Sequence, residues 1–350
     1  MPQTAGDSTL QANLMQLMTG FMPARMIHLA AQLGIADQLA GGPKDAMLLA
    51  SNTATHPPSL YRLLRALASL GIVDEREPGR FALTPLGAQL RTDASGSLRN
   101  SALLYGGERT WKCWGDLLHS IRTGETAMYH LYGEGSFEYL STHPEGAAIF
   151  NEAMAEVTRE VARAVGAAYD FAKFHQIVDV GGGNGTLIAT ILATAPSLRG
   201  IIFDLPAGVT EAPLQLAAAG CADRCEVIEG DFFQSVPSGA DAYILKSIIH
   251  DWNDDRSTAI LRNCRTAMST ASRLLLVERV MPMQMRAEHV HQRMAMMDMH
   301  MLGLLGGQER TESEYRKLFA ASGFTLSRIV PLSTVSESVD TSIIEATPFE

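Results

Sequence analysis

Positive charge is in short supply in this chain. Its 350 residues hold 28 Lys and Arg against 38 Asp and Glu, a formal net charge of −10 with a pI near 5.5. A general nucleic-acid binder needs a basic face to displace counterions, so that class is excluded. Cysteine is scarce as well: Cys113, Cys221, Cys225 and Cys264, with no CxxC pair and no His-rich segment beside CADRC. This excludes a disulfide scaffold or a cysteine-based metal module, and the expectation is reduced, buried thiols in a cytoplasmic protein. No uninterrupted apolar run approaches the ~20 residues of a membrane helix. The opening MPQTAGDSTLQANLM has no basic stretch followed by an apolar one, so no secretory signal is expected. Charged residues make up only 19% and hydrophobic residues 46%, which excludes a disordered chain and allows a sizeable core.

What is present falls into two halves. Residues 1–100 read as mostly helical. LMQLMTGFMPARMIHLAAQLGI has apolar residues nearly all round, including Leu14, Met15, Leu17, Met18, Phe21, Met22, Met26 and Ile27, with Pro23 as an expected break or kink. Such a helix must be covered on several sides, by its own domain or by a second subunit. Further on, Leu60, Leu63, Leu64, Leu67 and Leu70 form one helical face after a Pro-Pro start. GIVDER and RFALT then read as a hairpin around Glu77-Pro78-Gly79. Helix then hairpin outlines a winged helix. Residues 1–100 carry 8 Lys/Arg against 7 Asp/Glu, too even a balance for DNA, so a dimerisation domain is expected. Residues 101–350 form the second domain. Its first part, 101–170, reads as a helical, aromatic-rich connector. From Gln176 on, short β-branched runs alternate with helices: QIVDV, RGIIFDL, CEVIEG, AYILKS and RLLLVERV. This predicts an α/β fold, a doubly wound Rossmann-like domain with a parallel sheet covered on both faces.

IVDVGGGNGTL places a Gly-rich turn directly behind the first of these strands. A strand, such a turn and then a helix commonly hold a nucleotide moiety. The dinucleotide pattern G-x-G-x-x-G fails in both frames, because Thr186 or Ile188 takes the last position. What fits is D-x-G-x-G-x-G: Asp179, Gly181, Gly183 and Gly185. That spacing suits S-adenosylmethionine lying against the backbone. Asp204 ends the second strand, where a carboxylate accepts both ribose hydroxyls. Asp231 ends the third, placed to accept the adenine amino group, with Phe232 on the ring.

VDVGGGNG, FDLP, GDFF, LKSIIHDWNDD, LLLVERVMP and GGQERTESEYRKLFAASGF follow one another as they do in a known family. Over nearly the whole chain the sequence resembles the plant caffeate-type O-methyltransferases and, more closely, their bacterial relatives in secondary metabolism. The resemblance implies a homodimer with entwined N-terminal helices. It implies S-adenosylmethionine, with S-adenosylhomocysteine as product, contacted by Gly181, Asp204, Leu205, Asp231, Phe232, Phe233 and Lys246. It also implies His250 as catalytic base flanked by Glu278 and Glu309, no metal, and an aromatic acceptor pocket including Phe150, Met154 and Met301. There are departures: Ser247 where plant members often have Trp, Val157 where they can carry His, and Leu304 where they can carry Asn. These imply a more apolar pocket than a hydroxycinnamate needs.

The chemistry supports the same residues. A phenol has a pKa of about 10, so a positioned base near neutrality removes the main obstacle to its methylation, and His suits that task. Glu278 or Glu309 is expected to accept the second ring N–H of His250 and fix its tautomer. Glu309 could equally be a helix N-terminal acid before Thr311 and Glu314, which form a capping box. HQRMAMMDMHMLGLLGG holds Met294, Met296, Met297, Met299 and Met301, at helical spacing; a subset facing a planar acceptor is expected. Its His289, His291 and His300 lack a matching carboxylate or Cys at i, i+4, which argues against a metal there. Two other readings stay open: an N-methyltransferase acting on a ring nitrogen, as in a phenazine, with His250 idle, and a cofactor-binding winged-helix regulator.

Overall fold

The computed structural model describes residues 5–332 and 340–349. They form two compact units that divide between Trp111 and Lys112.

The first unit is helical around one small sheet. Helix Ala5–Met18 ends at Thr19-Gly20 and helix Phe21–Gln32 follows. The break therefore precedes Pro23, which sits in the first turn of the second helix. There a missing N–H costs nothing, so proline starts the helix rather than kinking it. Helices Ala46–Asn52 and Pro57–Ser69 lead into the hairpin, and Leu49, Leu60, Leu64, Leu67 and Phe81 fill the core. Strands β1 (Lys44–Asp45), β2 (Val73–Glu77) and β3 (Arg80–Leu83) pair antiparallel in the order β1-β3-β2. Gly79 takes φ +81° in the hairpin turn, and its N–H donates to the Glu75 carboxylate at 2.9 Å.

The second unit is an α/β layer structure, as the strand–helix alternation requires. Its strands are β4 (Gln176–Val180), β5 (Arg199–Asp204), β6 (Cys225–Glu229), β7 (Ala242–Lys246), β8 (Arg273–Met281), β9 (Arg310–Thr311), β10 (Phe324–Pro331) and β11 (Thr341–Pro348). The order is β10-β11-β8-β7-β4-β5-β6, with β9 beside the end of β8. Strands β4 to β8 are parallel, but β11 runs antiparallel between β8 and β10. The five expected strands are parallel as read, and the sheet is extended by an antiparallel pair that the reading did not anticipate. The added edge reads TSIIEATP, an almost fully buried strand whose direction no local pattern encodes. One core cluster lies on each face: Ile177, Leu187, Ile188 and Ile244 on one, Val178, Tyr243, Leu245 and Leu261 on the other. The 25-residue helix Pro144–Ala168 packs on the first face. The strand order reverses at β4, with β5 on one side and β7, reached after β6, on the other; ligands of such sheets bind at the C-terminal end of that reversal. All four cysteines are buried, and among the described residues no helix is long and apolar enough to cross a membrane.

Helices Ala5–Met18 and Phe21–Gln32 leave Leu10, Leu14, Met15, Leu17, Met18, Phe21 and Met22 between 45% and 68% exposed. That much contiguous apolar surface is unfavourable in water. A second copy is expected to cover it, with an interface of ~2,000 Å² or more. Light scattering at micromolar concentration should report a dimer, and Leu14→Asp with Leu17→Asp should split it. A wild-type monomer would contradict the expectation.

Candidate active site

The Gly-rich turn stands at the C-terminal end of β4. Gly181 takes φ +73° and donates its N–H to the Phe203 carbonyl of β5 at 2.7 Å. Gly183 takes φ +54° and has no heavy atom within 4 Å of where a Cβ would stand, so the turn presents open space at that point. A side chain there would meet both the backbone penalty and whatever occupies that space. The Gly183 N–H donates to Asp204 Oδ2 at 2.8 Å, and the Leu205 N–H to Asp204 Oδ1 at 2.7 Å. Each carboxylate oxygen keeps a lone pair for a ligand hydroxyl. Burial raises the Asp204 pKa against these two hydrogen bonds. Asp179 is buried behind the turn, and its Oδ2 has no hydrogen-bond partner among the described residues. Burial pushes its carboxyl up to about 7, although Lys246 pulls it down.

The next strand ends supply rings. Asp231 Oδ1 accepts the Phe233 N–H at 2.8 Å. Phe232, Phe233, Trp252, Phe137 and Phe150 then form a connected aromatic series, with centroids 5.0, 4.9, 5.5 and 6.2 Å apart in turn. Arg256 lies 4.3 Å from the centroids of both Phe233 and Trp252. Phe150 of helix Pro144–Ala168 is thereby joined to the segment after β7. Met154 is half-buried one turn further along that helix, and Met301 is buried in a short π-helical turn, Met301–Leu305. Trp252 and Phe137 were not singled out by sequence; HDW beside the candidate histidine was the available signal.

After β7 the chain turns sharply. Ser247 takes φ +54°, costly for a residue with a Cβ, and so aims the next two N–H groups at β8. Glu278 Oε1 accepts both, from Ile248 at 3.0 Å and Ile249 at 2.8 Å. Ile249–Asp251 is a single 3-10 turn, and Arg310 braces it from beneath. Its guanidinium is fully buried and donates to the carbonyls of Ile249 and Trp252 at 3.0 and 2.8 Å and to Asp254 at 2.9 Å.

His250 is 7% exposed on this turn. Its Nδ1 lies 2.9 Å from Glu309 Oε1 and 3.6 Å from Glu278 Oε2, and its Nε2 lies 3.3 Å from Asp251 Oδ1. Burial alone would lower the imidazole pKa, but Glu278, Glu309 and Asp251 outweigh it and raise it to about 9. Burial raises Glu278 and pushes Asp251 up to about 7. Glu309 stays low despite its burial, held down by His250 and by Arg279, whose Nη1 is 3.1 Å from the same Oε1. Glu309 is therefore the histidine's partner and not a helix-capping acid; Thr311 and Glu314 form the capping box by themselves. Donor atoms of His250, Glu278 and Glu309 lie within 4.8 Å of one another, a spacing that also suits a divalent cation. Here the imidazolium and the Arg279 guanidinium already supply the positive charge. Sequence reading overlooked Asp251 and Arg279, for which an ionisable residue adjacent to a candidate was the only cue. Lys246 is half-buried near Asp179, Glu278 and Asp251, and burial lowers its pKa against their attraction.

Residues 114–325 match the O-methyltransferase domain, and residues 15–93 the O-methyltransferase dimerisation domain. The chain is 45% identical over 344 residues to the phenazine O-methyltransferase PhzM of Lysobacter antibioticus, covering 98% of each protein. The chain belongs to the O-methyltransferase family. It is thus an S-adenosylmethionine-dependent methyltransferase. The solved O-methyltransferase NcsB1 from neocarzinostatin biosynthesis, in complex with S-adenosyl-L-homocysteine and 1,4-dihydroxy-2-naphthoic acid, is 33% identical. It superposes with a TM-score of 0.79 over 93% of this chain and 96% of that one. A phenazine-1-carboxylate N-methyltransferase of Pseudomonas aeruginosa is 31% identical over 91% of this chain and 93% of its own length. The open face at Gly183, the spare lone pairs of Asp204 and the rings beside Asp231 all fit the donor of this methyltransferase family.

If carboxylates hold the proton on His250, removing one must release it. In Glu309→Gln the imidazole pKa, followed by NMR titration, should fall from about 9 by roughly one to three units. A wild-type value near 6.5 would contradict the geometry.

Proposed function

We propose that this methyltransferase methylates a phenolic hydroxyl of a planar, polycyclic aromatic natural product, with His250 as general base. The observation that carries the reading is one buried imidazole, hydrogen-bonded through Nδ1 to Glu309, with its pKa raised to about 9. A base whose conjugate acid titrates at about 9 has nearly the full driving force needed to take a proton from a phenol, which titrates at about 10. The raised value has a cost at neutral pH, where most His250 is already protonated. Neutral base increases as pH approaches 9, so turnover increases with it.

Glu309 keeps the proton on Nδ1, which leaves Nε2 to accept the acceptor's proton. The imidazolium then formed sits between Glu278, Glu309 and Asp251, which stabilise it. Gly181, Gly183, Asp204, Asp231, Phe232, Phe233 and Lys246 hold the donor, with Leu205 beside it and Asp179 behind the turn. The bound donor supplies an electrophilic methyl group on a sulfonium. Phe150, Met154 and Met301 line the acceptor side, together with Phe137 and Trp252. Likeness to the phenazine and naphthoate enzymes supports a flat polycyclic acceptor, and the dimerisation domain supports a homodimer.

A second reading, methylation of a ring nitrogen, is favoured by one observation: an imidazole held protonated at neutral pH is no base there, and an aza-aromatic nitrogen needs none. The likeness to the N-methyltransferase fits it.

His250→Ala separates the two. On a phenolic acceptor it should cut turnover roughly 10²–10⁴-fold, leave S-adenosylhomocysteine affinity in calorimetry nearly unchanged, and be partly rescued at high pH. Wild-type kcat/KM should rise with unit slope and bend at about pH 9. Full turnover by His250→Ala at neutral pH would refute the base and leave the ring-nitrogen reading.

A further inference from the structure

Glu309 makes both of its side-chain hydrogen bonds through one oxygen. Oε1 accepts from His250 Nδ1 at 2.9 Å and from Arg279 Nη1 at 3.1 Å. Oε2 is buried with no hydrogen-bond partner among the described residues. The terminal torsion of a glutamate is soft, so a carboxylate held by the histidine alone would be free to rotate. Arg279 is not loose either: its Nε donates to Asp340 Oδ1 at 2.9 Å, and the Asp340 carboxylate is 5% exposed. Arg293 Nε lies 3.9 Å from the other Asp340 oxygen. A series of charged side chains thus runs from β11's edge to the base: Asp340, Arg279, Glu309, His250.

We propose that Arg279 is a positioning residue, anchored by Asp340, that fixes the Glu309 carboxylate so that Oε1 faces His250 Nδ1 and Nε2, 3.3 Å from Asp251 Oδ1, is the nitrogen that takes the acceptor's proton. This deepens the general-base reading and rests on it. A planar guanidinium suits the task, since its N–H groups point in fixed directions and engage two carboxylates at once. Its charge also acts on the proton. Arg279 holds Glu309 in its anionic form, so the proton shared along the 2.9 Å contact stays on the imidazole. The other charged groups facing His250 are Glu278 of β8 and Asp251 on the segment after β7; Lys246, the last residue of β7, acts on Asp251, and the Glu309 backbone N–H donates to Asp298 Oδ1 at 2.8 Å.

The sign of the pH effect follows. The His250–Glu309 pair is net neutral with its proton and carries −1 without it, so removing a neighbouring cation makes loss of that proton harder. In Arg279→Gln the alkaline bend of kcat/KM should therefore move to higher pH, by roughly one unit. The kcat should fall roughly ten- to a hundredfold, with the acceptor KM and S-adenosylhomocysteine affinity close to wild type. Arg279→Lys keeps the charge and loses the fork, so the bend should stay in place while kcat drops. Asp340→Asn loosens the anchor and should move the bend in the same direction by less. This variant decides the matter if Arg279→Gln does not fold. An unmoved bend in a folded Arg279→Gln, or in Asp340→Asn where that must stand in, would reduce Arg279 to an ordinary ion pair and overturn the proposal. The two levels fail separately. Full turnover by His250→Ala defeats the base itself, whereas an inactive His250→Ala beside an unmoved Arg279→Gln bend defeats only the positioning role.

Discussion

Two carboxylates, Glu278 and Glu309, are buried at the end of the sheet, at 1% and 6% exposure, and the rest of the site follows from keeping them charged. A carboxylate out of water needs donors or cations within reach. Glu278 obtains the N–H groups of Ile248 and Ile249, which requires the backbone to turn through positive φ at Ser247. Glu309 obtains His250 and Arg279. The turn that carries His250 is thereby fixed from two sides, by Glu278 from within the sheet and by Arg310 from below. An imidazole placed there takes a proton more readily than in water, because burial is outweighed by three nearby carboxylates. The same electrostatics that hold the loop together also set its acid–base behaviour.

Much of this was legible in the sequence, and the limits have physical reasons. A glycine at φ +54° facing open space leaves a clear trace, because few other residues tolerate that conformation, and Gly183 was read correctly as part of the turn. The parallel strands β4 to β8 announce themselves as β-branched runs between helices. Strand direction at the sheet edge does not, so the antiparallel β10 and β11 came from the structure alone. Pro23 was expected to break or kink the helix, yet the break lies at Thr19-Gly20 and Pro23 sits in the first turn that follows, where proline is harmless. The contacts of Arg279, Asp251 and Trp252 depend on which segments meet in space, as in the Arg279–Asp340 pair, 61 residues apart, and the more distant Phe137–Trp252 pair, and no local pattern reports that.

On the proposed reading, in which the aromatic series borders the acceptor, one scaffold accommodates different flat acceptors. Phe232 and Phe233 follow the acid at the third strand end, Trp252 follows the histidine, and Phe137 and Phe150 belong to the helical region before the sheet. A continuous set of rings discriminates little between one polycycle and another, because π-faces and methionine side chains recognise flatness more than substituents. On the proposed general-base reading, selectivity for a position on the ring comes from where the acceptor's proton meets Nε2.

The most direct test of the account is the tautomer of His250 above its pKa. In protein labelled with 15N at histidine, with the His250 signals assigned by their loss in His250→Gln, the two ring nitrogens are distinguishable by chemical shift. The account predicts that neutral His250 carries its proton on Nδ1, toward Glu309, and leaves Nε2 bare. A neutral ring with its proton on Nε2 would have no lone pair to offer the acceptor and would contradict it.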